Sequence, residues 1–559
     1  MITLEMMPPL MFGGLVLAML IGFPVAFTLA AVGLSFGFLA IHLGFFDLNF
    51  LQAIPGRIFG SVLANDLLLA IPFFTFMGAI LERCGLAEDM LDSMGQLFGP
   101  IRGGLGYSVI IVGFILGAIT GTVAAQVIAM AMISMPVMMR YGYNMRYITG
   151  VLAASGTITQ LVPPSLVLIV LADQLGKSVG DMYLGAWGPS IFQVILFAGY
   201  TFVLGLIKPS HVPPVPKEAR TLTGWALWKK CLMGIIPSAV LIFVVLGTMM
   251  MGLATPTEAG AMGAVGAIVL AVIHHKEFTK KDRSILIVGV VAAGIGTIVA
   301  MLFTENLVFK LSFAITYLAV AWLGIRAVAI PDLRDLIKQG YETTMRITCM
   351  VTFILIGSTC FSVVFQGVSG GEWLEHLLTS LPGGVWGFLI FINVFIFFLA
   401  FFLDFFEIAF IILPMIAPIA QKILAPVVGP EAALIWFGVM LCVNMQTSFM
   451  HPPFGFALFY LRGIAPKEVK SSDIYWGALP WVGLQLVMVL LVMFWPGMVT
   501  GLLDKGSLKH SNSAEVSIPL GGQDDGKPGG ASSPGTLELP SGGDSSEPVA
   551  PSFQFEKSK

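Results

Sequence analysis

The sequence predicts an all-α polytopic membrane protein that contains two inverted repeats with re-entrant hairpins and broken helices. Three observations lead to this fold class: an apolar composition, two matching proline-interrupted segments, and basic loops that alternate along the chain. Of the 559 residues, 57% are hydrophobic and 11% are charged, and the mean hydropathy is +0.91; a soluble protein is typically about 25% charged. Stretches such as Ile285–Phe303 and Val385–Leu403 reach the roughly 20 apolar residues that a helix needs to cross a bilayer.

The composition and motifs also exclude several classes of protein. The net charge of −3 provides no basic field for nucleic acid. The stretch 176–178 reads Gly-Lys-Ser like the end of a phosphate-binding loop, but position 171 is leucine where the first glycine belongs. The hydrolase-like GxSxG at 367–371 follows an apolar helix pattern rather than a strand, so we expect no enzyme. The cysteines form no CxxC pair and are expected to be small hydrophobes in helices: Cys84, Cys231, Cys349, Cys360 and Cys442.

The two ends of the chain differ in character. Residues 1–44 are predicted to form an N-terminal membrane segment, whose apolar run Leu10–Ile41 contains Pro24. The opening MITLEMMPPL lacks the basic region of a cleaved signal peptide. Residues 498–559 are rich in Gly, Ser, Pro and acidic residues. They have few apolar side chains to bury and are predicted to be a disordered low-complexity tail.

The stretch between these ends contains a repeat. The segments TITQLVPPSLVLIVLADQLG (157–176) and QTSFMHPPFGFALFYLRG (446–463) each place polar residues before a Pro-Pro pair and an apolar run after it. The two pairs lie 289 positions apart, and DMYLGAWGP at 181–189 matches DIYWGALP at 473–480 downstream. We therefore assign repeat A to residues 45–206 and repeat B to residues 330–497. The spacer between them, residues 207–329, is predicted to hold four transmembrane helices.

The distribution of Lys and Arg predicts how the repeats face the membrane. The segments 208–230, 276–283 and 326–346 hold five, four and four of these residues, and the intervening turns hold none. Basic loops are typically cytoplasmic, so repeat B starts on the cytoplasmic side. After the first crossing, repeat A has two arginines where repeat B has Glu372 and Glu375. This reversal predicts that the repeats are inverted, with a cytoplasmic N-terminus and an extracytoplasmic tail.

Interrupted helices in an inverted repeat indicate a secondary transporter. An unwound segment exposes carbonyl oxygens, which coordinate a hard cation such as sodium together with hydroxyl groups, and a half-helix N-terminus can face a carboxylate. Small residues let the backbone approach an ion closely. The alternative is a proline kink whose Ser and Thr side chains satisfy the local backbone. The candidate binding residues are Ser155, Gly156, Thr157, Thr159 and Pro163 in repeat A, and Asn444, Gln446, Thr447, Ser448 and Pro452 in repeat B.

A second irregular stretch lies upstream in each repeat. In repeat A, GAITGTVAAQ at 117–126 predicts a re-entrant hairpin, a backbone tolerated only inside protein or beside a water-filled cavity; its tip residues are Thr120, Gly121 and Thr122. In repeat B the matching stretch at 401–410 carries Asp404 and Glu407. Carboxyl groups at this depth are functional by default, and the alternative is that one of them caps a helix near the interface. His451 either bonds to the backbone or contacts protons or substrate.

Four motifs in order resemble the large membrane subunit of tripartite ATP-independent periplasmic (TRAP) transporters: FFTFMGAILERCGLAEDML at 73–91, ASGTITQLVPPS at 154–165, LATPTEAGAMGAVGA at 253–267 and the segment at 446–463. The resemblance covers about residues 10–496. It implies an ion-transporter-type fold with an elevator mechanism, located in the bacterial inner membrane among its lipids. It implies sodium as the coupling ion and no other cofactor. It also implies a small four-helix membrane subunit, a periplasmic substrate-binding protein and a small carboxylate substrate.

Carried over by position, the resemblance implies two sodium sites. One comprises the hairpin tip 120–122 with residues 155–159, and the other comprises the region of Asp404 with residues 446–448. Related chains often have a serine-rich tip where this sequence reads Thr-Gly-Thr, which keeps the hydroxyl groups. Residues 283–325 add two apolar segments to the spacer. They are predicted to be an insertion of two crossings, which preserves the orientation of repeat B, and not a fused small subunit.

Two other transport classes stay open at this point. A stand-alone ion-coupled carboxylate carrier of the same fold would need neither a small subunit nor a binding protein, and uptake by this chain alone in proteoliposomes would favour it. A channel is the third class, and saturable counterflow would exclude it.

Overall fold

The computed structural model describes residues 3–220, 224–274, 328–401, 403–452 and 455–503, together with positions 318, 321, 322 and 325. Within these residues the regular structure is helical, without a strand. Eight of the described helices are long and apolar enough to cross a membrane, and three further helix pairs are bent by 49°, 64° and 117° at short breaks. The predicted all-α polytopic membrane fold is confirmed.

The first predicted membrane segment consists of two helices. Helix α1 spans Met7–Leu20 and α2 spans Val25–His42. Pro24 is the N-cap of α2, and Gly22 before it has a φ of +93°, so the chain leaves the helical conformation at this point. The membrane segment predicted for residues 10–41 thus consists of two helices, because proline has no backbone N–H with which to continue α1.

The two repeats contain the same order of elements: a first crossing, a short helix, a two-armed hairpin, a broken helix and a last crossing. Repeat A opens with α3 (Ala53–Arg57) and continues with α4 (Ala70–Arg83), α5 (Leu86–Phe98), α6 (Gly104–Thr120), α7 (Val123–Arg140), α8 (Met145–Thr157), α9 (Leu166–Gln174) and α10 (Val179–Ile207). The spacer contributes α11 (Trp225–Met250) and α12 (Pro256–His274). Repeat B consists of α13 (Pro331–Gly367), α14 (Gly370–Thr379), α15 (Gly384–Leu399), α16 (Phe405–Ile411), α17 (Leu413–Val428), α18 (Pro430–Met445), α19 (Phe456–Ile464) and α20 (Ser471–Phe494), and α21 (Gly497–Thr500) follows it.

Two predicted segment boundaries can be compared with these elements. Two of the four predicted spacer helices are α11 and α12; the proposed insertion at 283–325 lies outside the described residues, apart from isolated positions. Residues 498–503, which were assigned to the tail, belong to the packed body, because Met498, Val499 and Leu503 are buried and α21 packs against α10 and α18. The remainder of the predicted disordered tail lies outside the described residues.

Contacts between the repeats are exchanged in pairs. Helix α8 packs against α20, and α18 packs against α10; similarly, α7 packs against α19, and α16 packs against α9. In each pair the two repeats swap roles, which is the pattern that a two-fold axis generates. Each broken helix therefore meets the last crossing of the other repeat.

The helices also divide into two packing groups. Helices α2, α4, α11, α12 and α13 pack against one another, and the hairpins, broken helices and last crossings form the second group. The groups meet where α4 and α11 contact the hairpin arm α6, and where α13 contacts α16. The short helix α5 contacts both α11 and α6. The second group contains all the candidate binding residues named from the sequence.

Candidate functional site

Both predicted helix interruptions are present. Helices α8 and α9 are separated by a 3₁₀ turn at Ile158–Gln160 and an irregular stretch that contains Pro163. Helices α18 and α19 are separated by a 3₁₀ turn at Gln446–Phe449 and a stretch that contains Pro452. Because proline lacks the N–H that would continue the hydrogen-bond ladder, each helix stops before its prolines and restarts after them. We refer to these two segments as break A (158–165) and break B (446–455).

The hairpin tips also lie where the sequence predicts them. Helix α6 ends at Thr120 and α7 begins at Val123. Gly121 between them has a φ of +63°, a left-handed conformation that glycine adopts without a steric penalty, and Thr122 is the extended N-cap of α7. In repeat B the corresponding turn falls between α15 and α16, with Asp404 as the N-cap of α16.

Gln126 on α7 connects the hairpin of repeat A to break A. Its side-chain Nε2 donates hydrogen bonds to the carbonyl oxygens of Gly113 on α6 (2.6 Å) and Ser155 on α8 (3.1 Å). Its Oε1 lies within hydrogen-bond distance of the Thr159 hydroxyl, which can otherwise donate to the Gly156 carbonyl (2.9 Å). The sequence pattern indicates Gln126 only as the last residue of the hairpin stretch 117–126, ten residues before a proline as Asp404 is in repeat B. The structure places it at the centre of the predicted site in repeat A.

Close packing supports the same connection. A methyl group on Gly117 of α6 would lie 3.1 Å from Cα of Thr159, and one on Gly156 would overlap the side chain of Val127 on α7. Both arms of the hairpin thus touch break A or the end of α8. The structure therefore brings residues 155–159 against the arms of the hairpin, and a site that they share with the tip residues 120–122 stays a prediction.

The hydroxyl groups near break A bond mostly to local groups. Thr157 donates to the carbonyl of Ala154 (2.8 Å) and accepts a hydrogen bond from Nε2 of Gln485 on α20 (2.9 Å). Ser155 Oγ is buried and has no partner among the described residues. Local bonding is part of what the proline-kink alternative predicts, but a hydroxyl oxygen that donates still has lone pairs for a ligand.

The corresponding polar residues of repeat B lie at the end of α18 and in break B. Asn444 Nδ2 donates to the backbone and side-chain oxygens of Asn393 on α15 (2.8 and 3.0 Å). Thr447 and Ser448 each donate to the carbonyl three residues earlier, at 2.7 Å. Gln446 is fully buried, and neither of its amide atoms has a partner in the described part of the chain.

Aromatic contacts hold break B against the hairpin tip of repeat B. The buried ring of His451 stacks on Phe401, with centroids 4.0 Å apart, and meets Phe397 edge-on at 4.4 Å. Phe405 and Phe449 are 6.4 Å apart on the other side of the tip. Break B therefore contacts residues on both sides of Asp404.

Asp404 and Glu407 form a capping box at the start of α16. The Glu407 backbone N–H donates to Asp404 Oδ1 (2.9 Å), and the Asp404 N–H donates to Glu407 Oε2 (3.0 Å). Both residues are half-buried. This geometry agrees with the helix-capping alternative. Both carboxylates accept a capping hydrogen bond, whereas the sequence predicted a cap at only one of them. Ion binding by Asp404 or Glu407 stays a prediction.

The two roles of Asp404 can be separated by substitution. Asp404→Ala is expected to lower the free energy of unfolding by about 1 kcal/mol, because the cap is lost, whereas Asp404→Asn retains most of the stability. Thermal unfolding of both purified variants measures this difference. Equal losses in the two variants would contradict the capping role. A higher half-saturating sodium concentration in Asp404→Asn, at unchanged stability, would show that the carboxylate also binds the ion.

The chain matches a known transporter family over most of its length. The family model for the DctM component of tripartite ATP-independent periplasmic transporters matches residues 12–498. The chain belongs to this family. As a DctM-family protein it is a transporter component and not an enzyme, and with its eight or more apolar helices it is a multi-pass protein of the bacterial inner membrane.

Individual relatives match over nearly their whole length. The C4-dicarboxylate TRAP transporter large permease protein DctM of Vibrio cholerae is 25% identical over 493 residues, which cover 87% of this chain and 94% of that protein. The 2,3-diketo-L-gulonate TRAP transporter large permease protein YiaN of Escherichia coli is 25% identical over 490 residues, or 86% and 95% of the two chains. Among solved structures, the Alcanivorax borkumensis YdaH transporter is 15% identical with a TM-score of 0.48 and covers 82% of this chain and 90% of its own.

Proposed function

We propose that this DctM-family protein is the large permease subunit of a sodium-coupled secondary transporter that imports a small organic acid by an elevator mechanism. The observation that carries the proposal is the pair of broken helices, each packed against the hairpin of its own repeat. Irregular backbone is tolerated in a membrane only where protein or a water-filled cavity surrounds it, and transporters use it to bind ions and substrate. The names of the C4-dicarboxylate and diketogulonate relatives support a carboxylate as the substrate class.

The proposed sodium sites use the ends of the half-helices. Site A comprises the hairpin tip Thr120–Thr122 with Ser155–Thr159, and site B comprises the region of Asp404 with Gln446–Ser448. Helices α8 and α18 end at these sites, so their carboxyl ends favour a cation there. Helices α9 and α19 begin beyond the breaks, and their amino ends favour the carboxylate of the substrate.

The packing of the two helix groups supports an elevator movement. The group that contains α2, α4, α11, α12 and α13 would be the fixed scaffold, and the group that contains both sites would move. Ion pairs join the repeats within the moving group: Arg146 to Asp473 (3.3 Å) and Lys177 to Glu431 (2.9 Å). These contacts favour movement of both sites as one body. A polar contact between the groups, from Asn65 Nδ2 to Asp173 Oδ1 (2.7 Å), would break during the movement.

Partner dependence distinguishes the proposed function from its alternative. We expect uptake in proteoliposomes only when a small four-helix membrane subunit and a substrate-binding protein are present. Sodium-driven uptake of a carboxylate by this chain alone would instead favour a stand-alone carrier of the same fold. Flux that does not saturate and shows no counterflow would favour a channel.

The sodium sites are tested by Thr159→Ala and Ser448→Ala. Each variant is expected to raise the half-saturating sodium concentration of uptake about tenfold, which corresponds to about 1.4 kcal/mol of binding free energy, because a hydroxyl ligand is lost. Thr159→Ser should restore the sodium response, since it keeps the hydroxyl. Thr343→Ala on α13, where the hydroxyl also donates to a local carbonyl, is the matched control. The assignment of the paired sites is wrong if both alanine variants keep the normal sodium response.

A further inference from the structure

Three buried glutamines lie at the meeting point of the two repeats. They are Gln160 in break A, Gln193 on α10 and Gln446 in break B, and we call them the glutamine cluster. Their side chains are at most 2% exposed, and none of their six amide atoms has a hydrogen-bond partner among the described residues. Buried polar atoms in proteins are nearly always bonded. Three such exceptions on segments that contact one another therefore require an explanation.

Hydrogen bonds of residues next to the three glutamines show that the segments carrying them are in contact. The carbonyl oxygen of Gln160 accepts a hydrogen bond from Cys442 Sγ on α18 (3.3 Å), and the next carbonyl along the chain accepts one from Ser190 Oγ on α10 (3.0 Å). Cys442 precedes Gln446 by four residues, and Ser190 precedes Gln193 by three. Residues at these spacings lie on the same side of a helix. The glutamines of α10 and break B therefore lie on the sides of their helices that contact break A.

The internal repeat shows that this arrangement is specific to one half of the protein. The match between residues 181–189 and 473–480 pairs Gln193 with Gln485, and the match between the breaks pairs Gln446 with Thr157. In one half, Gln485 donates directly to Thr157 at 2.9 Å. In the other half, the corresponding Gln193 and Gln446 form no such bond. A second amide in place of a hydroxyl thus leaves four amide atoms without a partner among the described residues, at a position where the opposite half leaves one, Oε1 of Gln485.

The local electrostatics favour a cation at this position. Helices α8 and α18 both end at the breaks, so the negative ends of two helix dipoles meet near the cluster. Amide and carbonyl oxygens are neutral ligands for hard cations, and carboxyl ends of half-helices coordinate sodium in transporters. We propose that Gln160, Gln193 and Gln446 bind a monovalent cation such as sodium through their amide oxygens. This site lies between the breaks and the last crossings. It shares Gln446 with site B, whereas Gln160 and Gln193 belong to neither of the sites proposed at the hairpin tips.

The test is equilibrium binding of radioactive sodium to the purified protein in detergent, which does not depend on transport. Gln193→Leu is expected to remove one bound sodium ion per protein or to weaken it at least tenfold. Thr201→Val is the matched control: it removes a buried polar group on the same helix as Gln193, whose partners, the Phe197 carbonyl (3.1 Å) and the Tyr147 hydroxyl (2.9 Å), are already in place. It is expected to bind as many sodium ions as the unmodified protein. Gln160→Leu provides a second variant of the cluster if Gln193→Leu fails to fold.

Two outcomes would overturn this inference, and a third would distinguish it from the proposed sodium coupling. Unchanged sodium binding in Gln193→Leu and Gln160→Leu would overturn it. Equal losses in Gln193→Leu and Thr201→Val would also overturn it, because they would indicate a general packing effect. A sodium ion that is lost only in the cluster variants, in a protein whose uptake is independent of sodium, would support the site and contradict the proposed coupling.

Discussion

Replacing Gln126 with leucine is expected to reduce sodium-dependent uptake by about 100-fold or more. The leucine side chain is similar in size but makes no hydrogen bond, so the buried carbonyls of Gly113 and Ser155 and the hydroxyl of Thr159 lose a partner. Each unsatisfied buried group costs about 1–3 kcal/mol, and a 100-fold loss corresponds to about 2.7 kcal/mol. The hairpin of repeat A then no longer holds break A in one position. Initial uptake rates at several sodium concentrations, normalised to the amount of protein in the membrane, measure the effect.

A surface glutamine supplies the control for this prediction. Gln366 near the end of α13 is exposed and makes only a 3.5 Å contact with Arg57. Gln366→Leu is therefore expected to transport at nearly the normal rate. If Gln126→Leu retained more than a tenth of normal uptake, the connection between hairpin and break would not be needed for transport.

The parts of the site that depend on local backbone chemistry could be predicted from the sequence. Pro163 and Pro452 each begin a Pro-Pro pair, which removes two successive N–H donors and favours a break, whereas single prolines such as Pro136 and Pro189 remain inside helices. Gly121 turns the hairpin because glycine adopts a positive φ readily. These effects act within a few residues along the chain. The breaks and tips therefore lie where the sequence analysis expected them.

The parts that depend on contacts between distant segments could not be predicted in the same way. Gln126 bonds to residues 13, 29 and 33 positions away, and no local pattern specifies those partners. The signal available was a single amide in an apolar hairpin arm, which fits many roles. The capping box is a different case, since Asp404 and Glu407 have the spacing of an N-cap and its third residue. The sequence therefore contained the signal for both hydrogen bonds of the capping box, although a cap was predicted for only one of the two carboxylates.

The internal repeat contained more information than the sequence analysis used. The alignment of the last crossings already pairs Gln193 with Gln485, and two glutamines at matched positions of apolar helices are unusual. Their different bonding became visible only once the structure showed that each last crossing packs against the broken helix of the other repeat. A sequence repeat identifies equivalent positions, but the partners of those positions follow from the packing.

Replacing Gly150 with alanine is expected to lower the free energy of unfolding by about 3 kcal/mol and to abolish uptake. Gly150 lies where α8 crosses α20, and an added methyl group would overlap the carbonyl oxygen of Gly477 and lie 2.6 Å from Cδ1 of Trp481. Overpacking of this kind costs about 1–3 kcal/mol or more, and a backbone oxygen cannot move aside as a flexible side chain can. The crossing also carries the bond from Thr149 Oγ1 to the Asp473 carbonyl (3.1 Å), which separation of the helices would break.

Gly483 on α20 provides a control that shows whether the close contact at the crossing causes the loss of stability and uptake. Gly483 is exposed, with no atom within 4 Å of an added methyl group, so Gly483→Ala should leave stability unchanged or raise it by up to about 1 kcal/mol, because alanine is the better helix former. Thermal unfolding and uptake measured for both variants compare a contact between the repeats with an exposed position on one of the two crossing helices. Similar behaviour of the two variants would mean that the repeats can separate at this crossing without losing function. If only Gly150→Ala loses stability and uptake, the close contact between the repeats is needed for both. This result is expected if the repeats move as one body and carry both sites together.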